Sequence, residues 1–235
     1  MEDKKLQKQE QPGGYMAQRR QILHNNSNFV VKEAYKSLRT NVRFFIRHDG
    51  CKSLCITSAA AGEGKSITFL NLAISIAEDG QKVLLIDADL RRPALARLLV
   101  EKTAPGLSNV LAGLAEPKDA IRKEMYPNLD ILFSGDIPPN PSELLGCSRM
   151  VELIEEMSKE YDYILIDTPP VNLVSDACLV ASLLDGVLLL VRQGSSRRDT
   201  VKQAVEKLQL TGANILGFVL NGVSTEKDKS YAYYD

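Results

Sequence analysis

Residues 58–66 read SAAAGEGKS, and the chemistry they offer is phosphate binding. Lys65 can reach the β- and γ-phosphates of a nucleotide, and the Ser66 hydroxyl can ligate Mg²⁺. Gly62 and Gly64 let the backbone turn and approach an anion closely. The usual pattern is G-x-x-x-x-G-K-[ST], which puts a glycine where this chain has Ala59. Position 59 is the outer end of the loop, and alanine is the smallest replacement. If the backbone there does not need a positive φ, Ala59 costs little. The competing phosphate motif is a dinucleotide turn, G-x-G-x-x-G. Its third glycine would fall on Ile67, so that reading fails.

Three aspartates strengthen the phosphate reading. KVLLIDADLRRP places Asp87 and Asp89 at the end of an apolar run, and YDYILIDTPP does the same for Asp167. In a parallel sheet, strand C-termini open on the crevice that also receives the phosphate loop. The spacing therefore predicts Asp87, Asp89 and Asp167 clustered with Ser66 around one Mg²⁺–triphosphate site. The plainer alternative is that each aspartate caps the turn after its strand. Lys65 is expected to face solvent and phosphate rather than core.

The elements that must position these groups are legible as apolar runs. Residues 53–57, 82–87, 129–135, 163–167, 186–191 and 215–221 are continuous rather than alternating, as strands buried on both faces are. Helical stretches are predicted at 65–77, ending near Gly80, and at 148–160 and 199–211. Another starts at Asn140-Pro141-Ser142-Glu143, with Asn140 as cap. Residues 28–47 also have helical periodicity. Val31, Ala34, Tyr35, Leu38, Val42, Phe45 and Ile46 form the expected apolar face, beside a basic stripe of Lys32, Lys36, Arg39, Arg43 and Arg47. Residues 1–27 are polar and broken by Pro12-Gly13-Gly14, and are expected to be a disordered leader. Residues 28–223 form the expected single domain. Residues 224–235, STEKDKSYAYYD, are the expected flexible tail.

Composition removes several alternatives. His24 and His48 are the chain's two histidines, so the body lacks a His base or zinc ligand. The four cysteines, Cys51, Cys55, Cys147 and Cys178, form no C-x-x-C pair and read as free thiols. Net charge is −1, so no global charge argues for nucleic acid. Residues 1–50 hold ten Lys/Arg and five Asp/Glu, leaving +5 there and −6 over the rest. The polar start shows no secretory signal and no run is long enough to span a membrane, so a cytoplasmic location is expected.

EAYKSLRTN (33–41), AGEGKS (61–66), VLLIDADLRRP (83–93), SGDIPPNPSELL (134–145), YILIDTPP (163–170), LNGV (220–223) and the tyrosine tail together resemble the bacterial tyrosine kinases of capsule and exopolysaccharide synthesis. The resemblance implies an α/β fold: a P-loop NTPase whose mostly parallel sheet is covered by helices on both faces, in the deviant-Walker, partitioning-ATPase-like branch. It implies ATP and Mg²⁺. Gly62, Glu63, Gly64, Lys65, Ser66, Ile67 and Asn221 are the nucleotide-binding positions, and Ser66, Asp87 and Asp167 the metal positions. Lys65, Asp87 and Asp89 are the catalytic ones, with Asp87 or Asp89 activating the acceptor hydroxyl. A phenol with a pKa near 10 needs such an acceptor.

The implied phosphoacceptors are Tyr231, Tyr233 and Tyr234, and the implied oligomer motif is Glu33, Lys36 and Arg39. The partners implied are a transmembrane adaptor of the polysaccharide co-polymerase type, a cognate tyrosine phosphatase and further copies of the chain, with a ring as the implied assembly. Recruitment to the inner face of the plasma membrane would run through the adaptor alone. Two departures stand out. Ala61 replaces the family's usual proline, and Lys36 replaces an arginine, keeping charge without the forked geometry. Partitioning ATPases on the same fold usually carry a second loop lysine, where this chain has Ala60. A non-catalytic nucleotide switch is the other alternative.

Overall fold

The apolar runs assemble into one seven-stranded sheet with the order β3-β4-β2-β5-β1-β6-β7. In the computed structural model, which describes Arg19 and residues 21–223, the strands are β1 (Lys52–Ser58), β2 (Val83–Asp87), β3 (Arg122–Tyr126), β4 (Leu129–Leu132), β5 (Tyr163–Asp167), β6 (Gly186–Arg192) and β7 (Ile215–Asn221). All neighbours are parallel except β3 and β4. Every residue of β2 and β5 is buried, as their unbroken VLLID and YILID runs require.

Alternate residues feed two cores. Cys55, Leu84, Ile86, Ile166 and Leu189 face one side, against Met150 and Leu153 of α7 (Ser148–Met157), Val180 of α8 (Asp176–Ala181) and Leu208 of α9 (Arg198–Leu210). Leu54, Ile56, Leu85, Leu165 and Leu188 face the other, against Phe69, Leu72 and Ile76 of α2 (Lys65–Glu78), Leu95 and Leu98 of α3 (Leu95–Leu99) and Val42 of α1 (Phe29–Phe45). Short helices α4 (Leu107–Leu111), α5 (Pro117–Ala120) and α6 (Pro141–Leu145) complete the α/β fold. Among the described residues no helix is long and apolar enough to cross a membrane.

The helix that carries the phosphate loop is buried almost all round. Phe69 at its centre has no exposed surface. Phe69→Ala should therefore cost about 3–5 kcal/mol, read as a lower urea midpoint with an unchanged slope.

Four expectations need adjusting. The edge strand β3, RKEMY, has no apolar run, because an edge needs only partial cover. Its sequence signal is the following Pro127-Asn128 turn: Asn128 takes φ 61°, and Tyr126 pairs with Leu129. β4 stops at Leu132 rather than 135, because Phe133 O and Ser134 O accept the N–H groups of Leu107 and Ser108 at the start of α4. On α1, Val42 is buried, as is Ile46 just past its end, and Tyr35 and Leu38 are half-buried, but Val31 is 38% exposed and Phe45 61%. The stripe that meets α2 is thus narrower than the one read from periodicity. Residues 21–27, assigned to the leader, have a defined place. Leu23 is buried; its N–H donates to Asn71 Oδ1 at 2.8 Å, and Asn71 Nδ2 donates to Gln21 O at 2.8 Å. Asn71 is a buried amide on α2, and the leader backbone satisfies it. Residues 1–18, residue 20 and residues 224–235 lie outside the described residues.

Candidate active site

The phosphate loop runs from the end of β1 to the first turn of α2. Gly64 caps that helix at φ 101°, and a Cβ there would lie 2.4 Å from Asn221 Nδ2. Glycine is required at position 64 both for the backbone and for the contact. Ala59 is different. It is buried, and the described non-glycine residues with positive φ are Val100, Glu124 and Asn128. Position 59 therefore does not need the glycine that the common motif puts there.

Lys65 departs from its expectation. It is only 8% exposed, folded into the crevice rather than reaching into solvent. It sits near Asp167, whose carboxyl burial raises and the ammonium partly lowers. Ser66 is half-buried beside it and acts on the same carboxyl. Glu63 is buried; its carboxylate accepts the Ala60 N–H at 3.2 Å and the Ser196 hydroxyl. Ile67 packs into the core on the α2 side of the sheet. Asn221 Nδ2 donates to Glu63 O at 2.9 Å, and its Oδ1 accepts the Gly222 N–H at 2.8 Å.

Asp87 and Asp167 are register partners on adjacent strands β2 and β5, and both are fully buried. Burial pushes both carboxyls above the usual carboxylate range, and their mutual repulsion adds to the rise at Asp87. Their hydrogen bonding differs. Asp87 Oδ1 accepts the Asp89 N–H at 3.2 Å and Oδ2 the Leu95 N–H at 3.1 Å. Both Asp167 oxygens are buried without a hydrogen-bond partner. Asp89 is half-buried, with Oδ1 accepting the Arg92 N–H at 3.0 Å.

Asp87, Asp89 and Asp167 thus share one end of the sheet with the loop. They are not a three-carboxylate cage: among the described residues no three Asp, Glu, His or Cys side chains converge as metal ligands. The donors do suit a hard cation carried in by a nucleotide, since Mg²⁺ takes one or two protein oxygens plus phosphates and water. The orphaned Asp167 oxygens and the neighbouring Ser66 hydroxyl are such donors.

A polar network fixes the loop after Asp89. Arg91 Nε donates to Asp176 Oδ2 at 2.8 Å, and Nη2 donates to Ser142 Oγ at 2.9 Å; Ser142 Oγ donates to Asp176 Oδ1 at 2.6 Å. Asp176 is fully buried, whereas the Arg91 side chain keeps 38% of its exposure. Arg91→Ala leaves that buried carboxylate without its cation. The expected loss is about 2 kcal/mol, below the usual range for a buried pair because the guanidinium is part-solvated. Chemical denaturation reads it. Sequence reasoning missed this network, whose members lie far apart in the chain, and equally the contacts of Arg192 and Ser196 with the loop.

The Glu33, Lys36 and Arg39 trio lies on α1. Lys36 Nζ pairs with Glu33 at 2.6 Å. Arg39 Nη1 donates to Ser75 O at 2.5 Å, and Nη2 lies 3.4 Å from Asp79, so Arg39 ties α1 to the last turn of α2 within the chain. The acceptor candidates Tyr231, Tyr233 and Tyr234 lie outside the described residues.

Comparison with known proteins gives this geometry a family. The family described as AAA domain matches residues 51–213. Tyrosine-protein kinase YwqD of Bacillus subtilis (strain 168) is 38% identical over 221 residues, which cover 94% of this chain and 93% of that protein. The kinase domain of the Escherichia coli tyrosine kinase ETK is similar at TM-score 0.80 and 38% identity, over 83% of this chain and 77% of that one. The septum site-determining protein MinD of Pyrococcus horikoshii OT3, complexed with Mg-ADP, is similar at TM-score 0.63 and 29% identity, over 74% and 72% of the two chains. A deviant phosphate loop, paired strand-end aspartates and near-complete coverage of a tyrosine kinase converge, and the chain belongs to the family of bacterial tyrosine-protein kinases.

Proposed function

We propose that the chain transfers the γ-phosphoryl group of ATP to Tyr231, Tyr233 and Tyr234 of a neighbouring copy. The observation that carries this reading is the buried register pair Asp87 and Asp167 at the mouth of the loop, with the Asp167 oxygens unpaired beside Ser66 and Lys65. Gly62, Glu63, Gly64 and Lys65 cradle the phosphates. Lys65 neutralises charge on the transferred group. Ser66 and Asp167 are the residues that would hold Mg²⁺, directly or through water; the metal supplies charge neutralisation at the phosphates.

The phenol oxygen forms a bond to the γ-phosphorus as the bond to the β-γ bridging oxygen breaks, and ADP leaves. The phenol proton goes to a carboxylate. Asp89 suits that role better than Asp87. It is half-buried with one oxygen uncommitted, whereas both Asp87 oxygens accept backbone N–H bonds. Asp87 then acts by shaping the loop that presents Asp89.

The wider setting follows from the family resemblance: ATP and Mg²⁺ as the working pair, regulation of capsule or exopolysaccharide synthesis and export, and opposition by a tyrosine phosphatase. A transmembrane adaptor would bring the chain to the inner face of the plasma membrane and complete its activation. Self-association would use the α1 face around Glu33, Lys36 and Arg39.

Mass measurement after incubation with Mg·ATP tests the transfer. Stepwise additions of one phosphate each, mapped to residues 231–234, are expected; no addition, with and without adaptor peptides, would sink the assignment. Each phosphate adds about −1.5 to −2 charge at pH 7, next to Asp235 and facing a cleft that already holds Asp87, Asp89, Asp167 and a triphosphate. The modified tail should leave the neighbour's cleft. Under Mg·ATP the Tyr231/Tyr233/Tyr234→Phe triple variant is expected to stay assembled while the wild type dissociates. Light scattering over an ATP time course reads this, and equal sizes throughout would remove the switch and leave the kinase standing.

A further inference from the structure

Three side chains outside the loop grip it from the β6–β7 side. Arg192 ends β6, Ser196 lies in the turn after it, and Asn221 ends β7 as the register partner of Arg192. Arg192 Nη1 donates to Gly62 O at 3.0 Å. Asn221 Nδ2 donates to the next carbonyl, Glu63 O, at 2.9 Å. The Ser196 hydroxyl donates to the Glu63 carboxylate and accepts the Arg192 N–H at 2.7 Å. The Arg192 stem lies over Gly222, where a Cβ would sit 3.5 Å from its Cγ.

The direction of these bonds matters. In a trans peptide the carbonyl and the following N–H point opposite ways. Holding Gly62 O and Glu63 O toward β6 and β7 turns the N–H groups of Glu63 and Gly64 away from those strands, as amides that cradle a phosphate must point. The outer loop needs such help. Ala60, Ala61 and Gly62 are exposed, and Gly62 takes φ 78°, so ordering this stretch costs conformational entropy.

We infer that Arg192 is the positioning residue of the phosphate loop: with Ser196 and Asn221 it presets two consecutive amides, and so sets affinity for the phosphates of the nucleotide but not for the nucleoside. This rests on the nucleotide-site reading above. Arg192 touches a carbonyl on the outside of the loop, so its effect passes through the backbone.

The test uses the full chain with Arg192→Ala, Arg192→Lys and Ser196→Ala. Calorimetry with Mg·ADP and ligand-observed NMR with adenosine give the two affinities. Arg192→Ala should weaken Mg·ADP about tenfold, the loss of one charge-assisted hydrogen bond, and leave adenosine unchanged. Arg192→Lys, which keeps one donor for Gly62 O, should recover most of the loss. In the kinase assay the KM for ATP should rise more than kcat falls. Unchanged Mg·ADP affinity overturns the inference, as does an equal loss for adenosine, which would place the effect at the base. Should Arg192→Ala lower the melting temperature of the nucleotide-free protein, Ser196→Ala decides: it removes the hydroxyl's bonds to Glu63 and to the Arg192 N–H while keeping the guanidinium on Gly62 O, and about a threefold loss for Mg·ADP is expected. Lys65→Met is the control: if it too retains full Mg·ADP affinity, the nucleotide site itself is misplaced, and the brace is not the point of failure.

Discussion

Lys65→Met is expected to lower autophosphorylation by at least about 10²–10³-fold, the loss seen when one preorganised charge donor is removed from a transition state. The ammonium lies in the first turn of α2, only 8% exposed and electrostatically coupled to Asp167. In such a site water cannot replace it. Methionine fills nearly the same volume, so the first turn of α2 keeps its packing. The fold should survive with a small loss, because Asp167 loses its nearest cation. Phosphotyrosine immunoblotting and circular dichroism on the same preparation separate the two effects. A variant that labels its own tyrosines as well as the wild type does would show that residues 58–66 are not the phosphate loop.

Asp167→Asn should remove activity to a similar degree and yet stabilise the nucleotide-free protein. Asp167 is fully buried and both its oxygens lack hydrogen-bond partners. A charge in that position costs stability, and it persists because the site needs an anion. Replacing it with a neutral amide should gain about 1–2 kcal/mol, a melting-temperature rise of about 2–6 °C for a chain of this size. The pH dependence follows from the same burial. The folded state holds protons on Asp87 and Asp167 that the unfolded chain has released, so stability falls as pH rises from the ordinary carboxylate range toward the raised values. In Asp167→Asn that fall should be shallower, since one of the two repelling carboxyls is gone. Calorimetric melting from about pH 5 to 8 without nucleotide checks both statements. Equal or lower melting temperature for the variant at pH 8 would mean that Asp167 is solvated, or that Lys65 fully offsets the cost of its burial.

The sequence by itself determined the parallel strands of the sheet, the loop and the family. Runs such as VLLID and YILID are buried on both faces, and a run of that kind leaves a strand few alternatives to the middle of a parallel sheet. Once β2 and β5 are parallel strands, their terminal aspartates must open on the end of the sheet where β1 delivers the loop. Local chemistry was equally legible at Gly64, a helix cap with φ 101°.

Only the tertiary structure decided which groups are committed and which are free. The VLLID and YILID runs end alike, yet Asp87 is engaged by the N–H groups of Asp89 and Leu95 whereas both Asp167 oxygens lack a hydrogen-bond partner. The solvent-facing Lys65 read from the motif became a buried cation because β5 brings Asp167 to it from a hundred residues away. Arg192 and Ser196 reach the loop from the end of β6 and the turn after it, which look like an ordinary polar segment, and Arg91 finds Asp176 in the same long-range way. Burial of an apolar run is a property of the run, whereas a hydrogen bond between distant side chains depends on where the whole sheet sets its strand ends. That is why the fold could be read along the chain, and the state of its charged groups could be read only from the assembled molecule.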